Sequence, residues 1–310
     1  MLEVALVGTG GMMPLPQRFL SSMICRTGGS MILFDCGEGT QVSLRMLGWG
    51  FKQIDTICFT HFHGDHISGL PGILLTMAHS DRTEEIEIIG PAGLETVVNC
   101  LCIIAGNLPF PIKFTEIPSR KEAEYPRELF KIKAIPLNHR IQCVGYSLEL
   151  SRRGKFDPEK AKAQNIPLRV WGPLQRQNEE TLVYEGKTYS KSMVLGPPRR
   201  GLKLVYCTDT RPVPAMTEFA KEADLFICEG MYGDESKLEK TVASKHMLFR
   251  EAAEIAKKAD VKELWLTHFS PALPDPKNYL SSASDIFPNT VIGKDRMTKV
   301  LRYSDSEEQD

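Results

Sequence analysis

The chain has 310 residues, 42% of them hydrophobic and 25% charged, with a formal net charge of −1. That length and composition sustain a sizeable core and exclude a disordered chain. The near-zero charge excludes a general affinity for polyanions, so any nucleic-acid contact has to be local. Met1-Leu2-Glu3-Val4 lacks the basic start of a signal peptide, and no apolar run approaches the ~18 residues of a membrane span. Eight cysteines occur without a CxxC pair, most of them in apolar runs. A reduced, cytoplasmic protein is expected.

In chain order, Leu2 to Val7 predicts a first strand. Gly8-Thr9-Gly10-Gly11 follows and, with Asp35 further on, imitates a dinucleotide fingerprint. The imitation fails. The sixth position is Met13, and Pro14 and Pro16 prevent the helix that would hold a pyrophosphate. No nucleotide cofactor is expected, and the glycines suit a loop passing close to another backbone. Met31 to Phe34 reads as a strand ending at the corner Asp35-Cys36-Gly37-Glu38-Gly39-Thr40. A helix through Val42, Leu44 and Leu47 is stopped by Gly48 and Gly50.

Ile57 to Thr60 predicts a buried strand, and Ile67, Leu70, Ile73, Leu74 and Met77 recur at helical spacing. Between them lie His61, His63, Asp65 and His66, on a turn at the carboxyl edge of a sheet, where open α/β proteins place their chemistry. A single histidine is commonly a core or surface residue. Three with an aspartate on one turn crowd ionisable groups for no structural gain. A set of N and O donors without thiolate suits Zn²⁺ in a catalytic site, or Mn²⁺ or Fe. Further strands are predicted at Ile86–Ile89, Phe130–Leu137, Leu202–Cys207, Asp224–Cys228 and Leu264–Leu266, with helices at 92–105 and 246–259. His139, Asp209 and His268 each follow one of these strands. Singly, each has a bland reading as a cap or a core residue. Strand ends on one sheet edge converge, so their recurrence argues for a joint site. His61, His63 and His139 would hold one ion, and Asp65, His66 and His268 a second. Asp209 would bridge them, since a carboxylate has two oxygens. Such paired ions lower the pKa of bound water toward ~7 and supply a nucleophile at neutral pH.

Residues 151–203 differ in character. Apolar periodicity fades, and twelve Lys and Arg stand against five Asp and Glu, punctuated by Pro158, Pro167, Pro173, Pro197 and Pro198. Most charge runs are solvated faces. Basic charge concentrated in one segment of a slightly acidic protein also fits contact with a phosphate backbone. The tail, 304–310, is acidic and expected to be disordered.

His61-Phe62-His63-Gly64-Asp65-His66 resembles the HxHxDH motif of the metallo-β-lactamase superfamily. Further stretches narrow the likeness to ribonuclease Z, the tRNA 3′-processing endonucleases. They are Pro16-Gln17-Arg18, Phe34 to Gln41, Leu70-Pro71-Gly72, Leu195 to Gly201, Thr208 to Pro212, and Leu266 to Ser270. The likeness runs from Gly8 to about Ser270. It implies an α/β fold, a four-layer αββα sandwich forming a single catalytic domain over 1–310, with 151–196 as an inserted basic arm that grips tRNA. Arg152, Arg153, Lys155, Lys160, Lys162 and Arg169 are its candidate RNA contacts, and Phe156 to Ala163 looks like its helix. The resemblance further implies two Zn²⁺ per chain (or Mn²⁺ or another divalent ion) and precursor tRNA as substrate. Asp65 becomes ligand and general base, and His246 the general acid oriented by Glu229. A homodimer is implied, with the arm of one subunit serving the other's site, and no membrane association.

The pattern is departed from in places. The arm tip reads Pro167-Leu168-Arg169-Val170-Trp171-Gly172-Pro173 where the family has Pro-x-Gly-Pro. Cys228-Glu229-Gly230-Met231 keeps the Glu of His-Glu-Ala-Thr, and His246-Met247-Leu248 keeps the His of His-Ser-Thr. Ala272-Leu273 replaces an Arg-Tyr. These changes bear on RNA grip and loop mobility and remove no candidate ligand. Two rivals share the fold: a small-molecule phosphodiesterase or other hydrolase, and a catalytically silent RNA-binding subunit.

Overall fold

The computed structural model describes residues 1–176 and 180–304. The predicted acidic tail therefore lies outside the described residues beyond Ser304. Six strands in succession build a first sheet: β1 (Leu2–Gly8), β2 (Ser22–Thr27), β3 (Ser30–Phe34), β4 (Ile54–Cys58), β5 (Ile86–Pro91) and β6 (Ile112–Ile117). β1 to β3 are antiparallel and β3 to β6 parallel.

The chain then enters a second sheet through β7 (Ala123–Pro126), β8 (Phe130–Pro136) and β9 (Val144–Arg152). A separate hairpin, β10 (Thr181–Tyr184) with β11 (Lys187–Ser190), intervenes. The second sheet resumes with β12 (Arg199–Cys207), β13 (Leu225–Glu229), β14 (Leu264–Thr267) and β15 (Thr290–Ile292), the last four strands parallel. Its order is β15-β14-β13-β12-β9-β8-β7. Finally β16 (Thr298–Leu301) returns to pair with β1.

The central parallel strands β13 and β14 are buried on both faces and hence read as unbroken apolar runs. Every residue of β13 and β14 is buried. On its outer side the first sheet packs Ala5, Val7, Leu33, Ile57 and Ile88 against helices Thr40–Leu47, Leu70–Ala78 and Leu94–Leu101. The second packs Val205, Cys207, Phe226, Cys228 and Leu266 against helix Phe249–Lys258. Between the sheets, the Phe34 ring meets Tyr146 and Tyr206 at 5.6 and 6.1 Å. The Tyr146 hydroxyl donates to Phe59 O at 2.7 Å. The layers are thus helix, sheet, sheet, helix, as the αββα expectation requires.

Several element ends differ from the sequence reading. The helix expected over 246–259 begins at Phe249, because Leu248 is extended and its N–H is capped by Glu251 at 2.9 Å. The helical run after His66 is two pieces, Gly64–Ile67 and Leu70–Ala78, the second opened by Pro71. The run over 92–105 is an α-helix to Leu101 and then a 3₁₀ turn.

The chain divides into two compact units, residues 1–149 with 202–310, and 150–201. The second has its own core of Ala161, Ile166, Val170, Leu174, Tyr189 and Val194. The Trp171 ring lies tilted against Phe156, centroids 5.2 Å apart, and donates its indole N–H to Ile166 O at 2.9 Å. Helix Pro158–Ala163 falls where the resemblance placed one, while the fading periodicity conceals helix Leu168–Arg176 and the β10–β11 hairpin. Among the described residues, no helix is long and apolar enough to cross a membrane.

Candidate metal centre

The corners that follow β3, β4, β8, β12 and β14 carry Asp35, His61, His139, Asp209 and His268. Asp35, Asp209 and His268 all have left-handed backbones, with φ of 54°, 51° and 58°. Non-glycine residues adopt this conformation at a cost, and such strain concentrates at functional sites. Here it turns each side chain out of its strand and into one cluster.

All seven predicted ligands meet in that cluster. Three imidazoles converge on one point: His61 Nε2 lies 3.0 Å from His63 Nδ1, and His139 Nε2 lies 3.2 Å from the same atom. On the other side, His66 Nε2 and His268 Nε2 are 3.2 Å apart, and Asp65 Oδ2 is 3.4 Å from His268 Nε2. Asp209 stands between the two groups. Its Oδ2 lies 3.6 Å from His61 Nε2 and 3.7 Å from His139 Nε2. Its Oδ1 lies 3.2 Å from His66 Nε2 and 3.1 Å from His268 Nε2. One oxygen thus faces each histidine group.

The tautomers are set from outside the cluster. Asp35 is fully buried and accepts from His66 Nδ1 at 2.8 Å. It also accepts from the Thr60 hydroxyl at 2.9 Å, and that hydroxyl in turn accepts from His61 Nδ1 at 3.0 Å. His139 Nδ1 donates to Lys245 O at 3.2 Å. Each donation through Nδ1 leaves an Nε2 lone pair aimed inward, which is how a carboxylate or carbonyl behind a histidine prepares a metal ligand. Asp35 was read from sequence as a strand-end corner and within the Phe34 to Gln41 likeness, not as a group that orients histidines. Its position at a strand end, like that of Asp209, was the available signal.

The protonation balance suits a cation. Burial holds His61, His63 and His139 below the usual imidazole range. For Asp209 burial works upward, but His268, His66 and His61 together hold it well below the carboxylate range. Asp65 is also lowered: burial opposes, and the His268 hydrogen bond and nearby His66 prevail. His66 is raised despite burial, by Asp209 and Asp35. Neutral His61, His63 and His139 beside ionised Asp209 and Asp65 are divalent-cation donors, and a cation would replace the proton that Asp209 and Asp35 favour on His66.

The predicted acid and its partner also lie here. His246 Nδ1 donates to Glu229 Oε2 at 3.1 Å and is 3.9 Å from Asp209 Oδ2. Burial alone would lower His246, but Glu229 raises it to about 9. Glu229 is fully buried and accepts from Met247 N at 3.1 Å and from Thr210 N. A contact not anticipated is the Met12 N–H, which donates to Asp65 Oδ2 at 2.7 Å. The glycine loop before it does pass close to backbone, since a Cβ on Gly8 would meet Leu20 O.

Of the predicted arm contacts, Arg153, Lys155, Lys160, Lys162 and Arg169 are exposed and Arg152 is half-buried. Lys160 Nζ donates to Leu195 O at 2.8 Å, and Lys162 pairs with Glu159 at 2.8 Å. Lys191, counted within the basic stretch, is buried and offers no surface charge.

The family model described as Anti-Pycsar protein Apyc1 matches residues 2–285. Ribonuclease Z of Clostridium acetobutylicum is 50% identical over 311 residues, 99% of this chain and 100% of that protein. Ribonuclease Z of Lachnoclostridium phytofermentans is 49% identical over 307 residues, again 99% and 100%. Among solved structures, human tRNase Z, short form, superposes with a TM-score of 0.70 at 25% identity, covering 97% of this chain and 100% of that one. Full-length identity of this order, with every predicted ligand in one cluster, shows that the chain belongs to the ribonuclease Z family of metallo-β-lactamase-fold hydrolases.

Proposed function

We propose that the protein is a metal-dependent endoribonuclease that removes the 3′ trailer from precursor tRNA. The observation that carries this is the 50% identity to a ribonuclease Z along its entire length. The human neighbour is a tRNase Z of the same fold.

The cluster is proposed to hold two divalent ions, Zn²⁺ by its N and O donors. His61, His63 and His139 would take one and Asp65, His66 and His268 the other, with Asp209 shared. Such ions supply Lewis-acid stabilisation of a phosphoryl group and a water of lowered pKa. Asp65 orients the attacking water and takes its proton. The Met12 N–H at 2.7 Å supports that placement. The P–O3′ bond breaks as His246 gives a proton to the departing O3′. The tRNA keeps a 3′-hydroxyl, and the trailer carries a 5′-phosphate. An O3′ leaving group has a pKa far above neutrality and needs an acid. Glu229, at 3.1 Å, keeps His246 charged and oriented.

Residues 151–196 are proposed as the tRNA-binding arm, supported by the exposed basic residues Arg153, Lys155, Lys160, Lys162 and Arg169. The family resemblance extends this to a homodimer whose arms act in trans, and sedimentation velocity tests that extension. For the function, the test is a 3′-extended precursor tRNA incubated with the protein and mapped at its new 3′ end. Cleavage just after the discriminator base supports the reading. Intact RNA alongside turnover of small phosphodiesters favours the rival, a small-molecule phosphodiesterase.

A further inference from the structure

Arg211 follows two residues after Asp209, and the roles assigned so far leave its guanidinium unused. Its side chain is 18% exposed and forms a two-pronged ion pair with Glu251, itself 11% exposed. One prong, Nη1 to Glu251 Oε2, measures 2.9 Å, and the other joins Nη2 to Oε1. The same Nη1 donates to the backbone carbonyl of His246 at 2.5 Å. Glu251 reaches the same segment from the other side, accepting from Leu248 N at 2.9 Å.

The segment so gripped is short and strained. Lys245 sits at φ 64°, in the left-handed region, between helix Leu238–Ser244 and helix Phe249–Lys258. Strained residues persist where their surroundings over-determine them. Arg211 is itself anchored, since its N–H donates to Asn138 O at 3.1 Å beside His139. Glu229 holds the His246 ring and Arg211 holds the His246 carbonyl. Both ends of one residue are thus held, with the imidazole 5.3 Å from the His139 and His268 rings.

We propose that Arg211, forked onto Glu251, is a positioning residue for His246, acting on protonation of the leaving oxygen. The proposal rests on the role given to His246 above. An arginine fork is geometrically specific, and a lysine does not reproduce it.

The test compares Arg211→Ala, Arg211→Lys and Glu251→Gln on precursor tRNA and on bis(p-nitrophenyl) phosphate. The first substrate departs as an alkoxide that needs a proton, the second as a phenolate that does not. Expected for each variant is a kcat on tRNA reduced about 10- to 100-fold, with KM within threefold. The loss on the activated ester should be at least tenfold smaller. Adding His246→Ala to Arg211→Ala should cost nothing beyond His246→Ala alone. Equal losses on both substrates, additive losses in the double variant, full rescue by Arg211→Lys, or wild-type kcat on tRNA would each overturn the proposal. Glu251→Gln keeps the volume of the pair, so the test survives if Arg211→Ala does not fold. If His246→Ala itself cleaves tRNA normally, the mechanism assigned to His246 fails instead, and the two failures are distinct.

Discussion

Gly11→Ala is a one-methyl perturbation of the metal cluster from outside it. Gly11 lies flat against the His268 ring, and a Cβ there would stand 2.6 Å from Cε1, 2.8 Å from Nε2 and 3.0 Å from Nδ1. Its φ is not in the positive range, so alanine is conformationally permitted and the effect is steric. Ordinary contact begins near 3.4 Å, so ring and loop have to separate by about 0.8 Å. The loop has little room to yield: Gly11 N–H donates to Phe269 O at 3.0 Å, and Phe269 N–H to Thr9 O at 2.8 Å. The ring is fully buried and lies 3.1 Å from Asp209 Oδ1 and 3.2 Å from His66 Nε2. Ligand distances tolerate only about 0.2 Å. The expected outcome is weakened binding at the ion position that uses His268 and a kcat lower by roughly 10²-fold. Overpacking should also cost about 1–3 kcal/mol of stability. The assay is metal content after dialysis, with kcat on precursor tRNA. Gly64→Ala is the control, because its Cβ would meet nothing within 4 Å. Wild-type metal content and turnover in Gly11→Ala would refute the reasoning.

Asp65→Ala should nearly abolish cleavage while leaving tRNA affinity largely intact, and full activity would remove Asp65 from the role of base. In ion-stripped protein the His246 ring should titrate near 9 by NMR, and Glu229→Gln should bring it down by at least about one unit. Because the folded value is raised above the usual 6.5, the linked stability is present below that pH and lost as pH rises through about 9. Chelation should lower unfolding stability by about 4 kcal/mol for each ion position held at a thousandfold over its dissociation constant, roughly 8 kcal/mol for the proposed pair. A thermal midpoint indifferent to chelator would contradict a cation-binding cluster. Deleting 155–190 should weaken tRNA binding yet spare hydrolysis of bis(p-nitrophenyl) phosphate, and parallel loss of both would show that the arm is not a separate binding element.

The candidate ligands that cluster here were legible in sequence because their signal is local or recurrent. His61, His63, Asp65 and His66 share one turn, and His139, Asp209 and His268 each follow an apolar run long enough to read as a buried strand. The parallel strands β13 and β14 announce themselves by composition for the same reason, whereas β4 runs Ile54–Cys58, starting three residues before the run Ile57 to Thr60 that reads as a strand. The arm's core was not legible. Val170, Leu174, Tyr189 and Val194 are spread over short elements whose burial depends on one another.

Sequence by itself pointed to the candidate donors, through their spacing and strand-end positions, and to the fold and family, through the resemblance of its motifs. Tertiary structure alone decided which way each donor faces. Asp35 orients His66 directly and His61 through Thr60, Asp209 turns one oxygen to each histidine group, and Arg211 with Glu251 grips the segment carrying His246. These contacts join residues 25 to 148 positions apart or, between Thr60 and His61, turn on side-chain rotamers, and neither is encoded in a local pattern. They arise only when separate strand ends are brought to one edge, where buried polar groups have to find partners.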